Sequence, residues 1–155
     1  MSPSTSEPVA ELRSRIAHRH VRFGWIGLLV FLSMGAILEG LHGFKAGFYL
    51  DPHAKLRREL WTLSHAHGTL IALIQLVFAA CLMHFGKWRS DRLKIASFFL
   101  LDAALLIPLG FFLGGLHPTE SDPWVGVYLV PIGALLLLIS VGLIALSGGP
   151  RVDEA

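Results

Sequence analysis

Residues Leu60–Met83 read LWTLSHAHGTLIALIQLVFAACLM, a run without Asp, Glu, Lys or Arg. A hydrocarbon core about 30 Å thick takes roughly 20 helical residues to cross. Backbone groups in lipid must find partners within their own segment. The run therefore predicts a transmembrane helix. Asp51-Pro52 ahead of it reads as an N-cap with proline at the first helical position, so the helix is expected over 52–84. Three more apolar runs flank it, at about 23–44, 92–116 and 123–147. None alternates as a barrel strand would. The expected fold is an all-α membrane protein, a four-helix up-down-up-down bundle joined by short connections. Residues 1–22 form a polar arm and a candidate interfacial helix, with Leu12 and Ile16 facing lipid. Residues 148–155 form a polar tail.

Composition agrees. Of 155 residues, 54% are hydrophobic and 15% charged, against about 25% charged in soluble domains. Mean hydropathy is +0.62. The net charge is only +2, so Lys and Arg flank apolar segments and do not build a face for nucleic acid. The single cysteine, Cys81, excludes an internal disulfide framework and a thiolate metal cluster within one chain. No Walker loop, dinucleotide fingerprint, H-E-x-x-H or serine elbow is present, and no enzymatic reaction is assigned.

Charge sets the expected orientation. Arg13, Arg15, Arg19, Arg22, Lys87, Arg89, Arg92, Lys94 and Arg151 fall on one side; Lys45, Lys55, Arg57 and Arg58 fall on the other. Both termini are expected in the cytoplasm, in a multi-pass protein of a bacterial inner membrane. Trp61, Tyr49, Phe48 and Trp124 would mark the outer headgroup level, and Trp25 and Trp88 the inner one.

Ionisable residues inside membrane helices are costly and are functional candidates by default. Glu39, His42, His65, His67 and His117 all fall toward the outer side. Glu39 and His42 share a helical face as E-x-x-H, a spacing that helical bundles use to aim a carboxylate and an imidazole at one ion. The competing reading is a structural ion pair. His65 and His67 are two residues apart, so their imidazoles diverge by roughly 200° and suggest two roles: one ligand within the protomer, one at a subunit contact. The plainer reading ties an imidazole to a backbone carbonyl one turn back. Asp102, near the middle of helix three, should be paired or uncharged. It could contact Gln75 or Tyr128, or join Gln75 in a polar, proton-conducting network. Gly126, Gly133, Ser140 and Ser147 recur every seven residues on helix four and predict a helix contact, inside the bundle or between subunits. Pro108 and Pro131 predict kinks. His18, His20 and His84 read as solvated.

The run Ala66-His-Gly-Thr-Leu-Ile-Ala-Leu-Ile74 resembles helix two of haem-copper oxidase subunit I, where a His-Gly pair opens an apolar helix and the histidine ligates the low-spin haem. Arg92-Leu-Lys-Ile-Ala-Ser-Phe-Phe-Leu-Leu101 resembles that family's helix three. The resemblance implies His67 as an axial ligand of haem b. The family's second axial histidine and its copper ligands lie on later helices that this chain does not contain. The second ligand would come from His42, His65 or another protomer, since a two-fold dimer presents the same residue from both sides. Arg57 and Arg58 would pair with haem propionates or lipid phosphates.

Imidazole also suits copper, zinc and iron, so a bare transition-metal ion on Glu39, His42, His65, His67 and His117 stands beside haem. The expected function is a membrane metalloprotein in electron transfer, or a sensor or accessory to a respiratory complex, in a homodimer or higher homo-oligomer. A non-catalytic assembly subunit and an oligomeric ion pathway are the alternatives.

Overall fold

A computed structural model describes residues 7–84, 90–119 and 121–147. The expected tail 148–155 and Lys87, Trp88 and Arg89 lie outside these residues. The described chain is helical: α1 (Glu7–Gly43), a single turn α2 (Gly47–Leu50), α3 (Lys55–His84), α4 (Ser90–Gly114) and α5 (Leu129–Ser147), with 3-10 turns at Pro52–Ala54 and Val125–Tyr128. Four helical stretches are long and apolar enough to cross a membrane: Val9–Gly43, Pro52–His84, Asp91–Gly114 and Val125–Ser147.

The N-terminal arm does not form a separate interfacial helix. From Glu7 it is the first part of α1. No proline or glycine interrupts residues 9–23. Ile16, Ala17 and His20 continue the buried stripe of Gly24 and Leu28 at helical spacing. Ile16 and Ala17 pack with Phe78, Ala79 and Leu82 of α3 and Leu93 of α4. Helix α1 thus runs about 55 Å at 1.5 Å per residue and projects beyond the hydrocarbon core.

Asp51 behaves as the sequence predicts. Its Oδ1 accepts from His53 N at 2.8 Å, with Pro52 opening the turn. Upstream, Lys45 takes φ 52°, the left-handed conformation that commonly ends helices.

Helix α1 packs on α3, α3 on α4 and α4 on α5; α1 approaches α4 little and α5 not at all among the described residues. The helices therefore form a curved row with α3 and α4 inside, not a closed ring of four. Lipid supplies no hydrophobic drive between helices, so close backbone approach at small residues must hold them. On the α1–α3 face, Gly68 receives the Phe31 ring and Gly24 receives Leu76. On the α4–α5 face, Gly133 meets Ile107 and Gly126 meets Leu113. Ser140 Oγ donates to Ala96 O at 2.7 Å. The seven-residue stripe thus serves an internal contact at Gly126, Gly133 and Ser140. Pro131 lies in the first turn of α5, where a missing N–H costs little. Pro108 is inside α4, and its carbonyl accepts from Ser64 Oγ at 2.8 Å.

Candidate functional site

Two of the sequence's candidate clusters separate in space. His65 faces α1. Its Nδ1 donates to Phe31 O at 2.7 Å, and its ring rests against Gly35, where any side chain would collide with it. His67 faces α4. Its Nδ1 donates to Leu63 O at 2.9 Å, one turn back, and its ring lies 5.0 Å from that of Phe111. In both residues the carbonyl fixes the proton on Nδ1 and leaves the Nε2 lone pair without a hydrogen bond among the described residues, the tautomer that metal-bound histidines commonly adopt.

A cavity of about 360 Å³ opens between α1, α2 and α3, lined by Gly35, Glu39, His42, Tyr49, Thr62 and His65. A second cavity of about 450 Å³ shares His42, Tyr49 and Thr62 and adds Arg58, Glu59 and Leu63. Together they form a vestibule at the α2 end of the protein, with a mostly apolar wall into which a few polar side chains are set. Glu39 and His42 are exposed there. Among the described residues Glu39 forms no ion pair, either with His42 or with an Arg or Lys, so no structural ion pair forms there. The His42 ring meets Tyr49 edge-on at 5.4 Å. Tyr49 is buried, not at the headgroup surface, and stacks on Trp61, which stacks on Phe112.

The five-residue ligand set does not converge. No three His, Cys, Asp or Glu side chains among the described residues are placed to hold one metal ion. Glu39, His42 and His65 share the vestibule. His67 is turned to α4 by its position two residues on. His117 sits after α4, its ring 5.4 Å from Trp124. The arginines are also committed. Arg57 donates to Gly115 O and Leu116 O at the end of α4, with its guanidinium 5.8 Å over the Trp61 ring. That places it away from the cavity and from any propionate there. Arg58 Nη1 donates to Tyr49 O at 2.7 Å and Asp51 O at 2.8 Å, yet Arg58 still lines the vestibule.

Toward the opposite ends of the helices the structure holds a polar cluster; the sequence alone suggested a solvated His20. His20 is fully buried. Its Nδ1 donates to Gln75 Oε1, and its Nε2 accepts from Ser97 Oγ at 2.6 Å. Gln75 Nε2 donates to Leu100 O at 3.0 Å, and Arg19 Nη2 donates to Ser97 Oγ at 2.6 Å. Each ring nitrogen and both ends of the amide are satisfied, which joins α1, α3 and α4. The sequence signal was available: His20 lies four residues from both Ile16 and Gly24, on the buried face of α1. His18 is exposed, with Nδ1 on Ser14 O at 2.8 Å, and His84 is exposed as well.

Gln75 is therefore a member of this clasp and not of a network with Asp102. Asp102 is half-buried and has no side-chain hydrogen-bond partner among the described residues. Tyr128 is 71% exposed.

No protein-family model, curated protein or solved structure matches the chain.

Proposed function

We propose that the protein is a small membrane redox protein that binds haem through His65 at the vestibule, working in electron transfer or as a sensor or accessory to a respiratory complex. One observation carries the reading: His65 is held by the Phe31 carbonyl and the Gly35 notch at the wall of a cavity that also contains Glu39 and His42. A ring fixed at Nδ1 with Nε2 unengaged would be free to hold the haem iron. Residues fitting a bare ion are fewer, because no three-donor set forms within one protomer. A haem would need fewer protein donors than a bare ion, and a second imidazole would come from a two-fold partner protomer. The iron would supply one-electron chemistry. This chain's residues would orient it: His65 as ligand, Arg58 as the cation available to a propionate, and Glu39 and His42 as polar side chains of the wall.

The ligand in this reading is His65, whereas the sequence resemblance pointed to His67, which lines no described cavity. The excess of positive charge on the α1 N-terminal side supports cytoplasmic termini with the vestibule facing outward, and the short connections between consecutive helices support an up-down-up-down path. The test is an optical spectrum with metal analysis of detergent-purified protein. A red protein whose band shifts on dithionite, and which loses the band in His65→Ala but keeps it in His117→Ala, supports the reading. Colourless protein without bound metal contradicts it.

A second reading, a non-catalytic subunit of a larger assembly, is favoured by Asp102. It shares a face of α4 with Ile95, Phe98, Leu105 and Leu109, all exposed. An unpartnered carboxyl on a lipid-facing surface is costly, and a partner helix would cover it. Co-purification lost in Asp102→Leu, with the spectrum unchanged, would separate this role from haem binding.

A further inference from the structure

Helices α1 and α4 stand apart over the floor of α3, and the cleft between them is apolar, about 470 Å³, walled by Phe23, Ile26 and Val30 of α1 and Leu105 and Leu109 of α4. Toward the start of both helices a separate cavity of about 470 Å³ lies between them, lined by Leu12, Ile16 and Phe98 and by the cations Arg15, Arg19 and Lys94. The two cavities lie on one face of each helix. Residues 12, 15, 16, 19, 23, 26 and 30 of α1 recur at three- and four-residue steps, and residues 94, 98, 105 and 109 of α4 keep the same register. The two cavities share no lining residue, but they follow one another along this face as a groove with a cationic mouth and an apolar length; Asp102 lies on the same face of α4 between Phe98 and Leu105.

Its dimensions match half a bilayer. From Phe23 to Met34, the apolar part of the cleft along α1, eleven residues rise about 16 Å, close to one leaflet of a core about 30 Å thick. The three cations lie where the apolar runs of α1 and α4 begin, at headgroup depth. Basic pockets between membrane helices are suited to anionic headgroups. Two acids lie near this face, and neither forms an ion pair with Arg19 or Lys94 among the described residues: Asp102 sits one turn beyond Phe98, away from Lys94, and Glu11 pairs only with Arg15. Glu11 meets Arg15 at 2.9 Å, but both side chains are 72% exposed, and such pairs are weak. Arg19 gives one nitrogen to Ser97 and retains its other donors.

We propose that this groove holds one anionic phospholipid, with its phosphodiester on Arg15, Arg19 and Lys94 and an acyl chain along the α1–α4 cleft. The inference is independent of the haem reading. A free phosphate would leave the apolar length unused; a phospholipid uses both parts.

Native mass spectrometry of the full chain, exchanged into detergent with equal amounts of phosphatidylglycerol and phosphatidylcholine of identical chains, tests it. One phosphatidylglycerol should remain bound in preference to phosphatidylcholine. Arg15→Gln with Lys94→Gln should lower its retention roughly 25-fold, about fivefold per cation. Arg22→Gln with Arg92→Gln, exposed cations outside the groove, should change nothing. Val30→Trp should reduce retention of both lipids by filling the chain cleft. Excess inorganic phosphate or glycerol phosphate should not displace the lipid. Equal retention of the two lipids by the wild-type protein overturns the proposal, even if a variant fails to fold. So does displacement by phosphate, or an equal loss in the Arg22/Arg92 pair.

Discussion

The imidazole of His65 occupies the space that a side chain at residue 35 would need: a Cβ on Gly35 would fall 2.4 Å from its Cε1. The contact joins the middle of α3 to α1, and the Phe31 carbonyl completes it at 2.7 Å. A glycine here lets the ring enter the helix contact and stop with one nitrogen held.

Gly35→Ala should therefore act on the ligand before the fold. The added methyl forces the ring off the notch, at an overpacking cost of about 1–3 kcal/mol. Expected are near-native helix content by circular dichroism and loss of more than half of the haem absorbance. Full absorbance in this variant would mean that His65 is not the ligand.

The His20 clasp should behave as a unit. Removing one member strands buried partners, so His20→Ala or Gln75→Leu should each destabilise by about 1–3 kcal/mol. The double variant should cost less than the sum, because both remove the same bond. Thermal melts in one detergent measure this. Strict additivity would show that the two side chains do not interact.

The α4–α5 contact should respond to size at Gly133 more than to polarity at Ser140. Ser140→Ala removes one interhelical hydrogen bond, worth about 0.6 kcal/mol on average in membranes. Gly133→Leu must displace Ile107, whose side chain a Cβ would already meet at 2.7 Å, and should lower the melting temperature much further. Equal shifts would contradict internal packing of the stripe.

Orientation is open to a direct check. Green fluorescent protein fused after Ala155 should fluoresce, and alkaline phosphatase inserted near Thr119 should be active. The reverse pattern would place the vestibule on the cytoplasmic side.

The four spans were legible because hydrophobicity summed over about 20 residues is a coarse quantity that single residues barely perturb. The Asp51-Pro52 cap was legible because it is local chemistry. The vestibule was legible only in part. Chain proximity put Glu39, His42 and His65 at one end, but the face each presents depends on helix rotation, and a two-residue offset was enough to send His67 to α4. His20 was missed because it precedes the apolar run, and polarity around it outweighed its register with Ile16 and Gly24. The open row of helices was invisible, since a ring and a row require the same apolar runs.

The most direct test is the absorption spectrum of wild-type and His65→Ala protein purified in parallel and reduced with dithionite. The account predicts a haem band that shifts on reduction in the wild type and is lost from the variant while helix content stays the same. An identical band in both proteins, or none in the wild type, would contradict it.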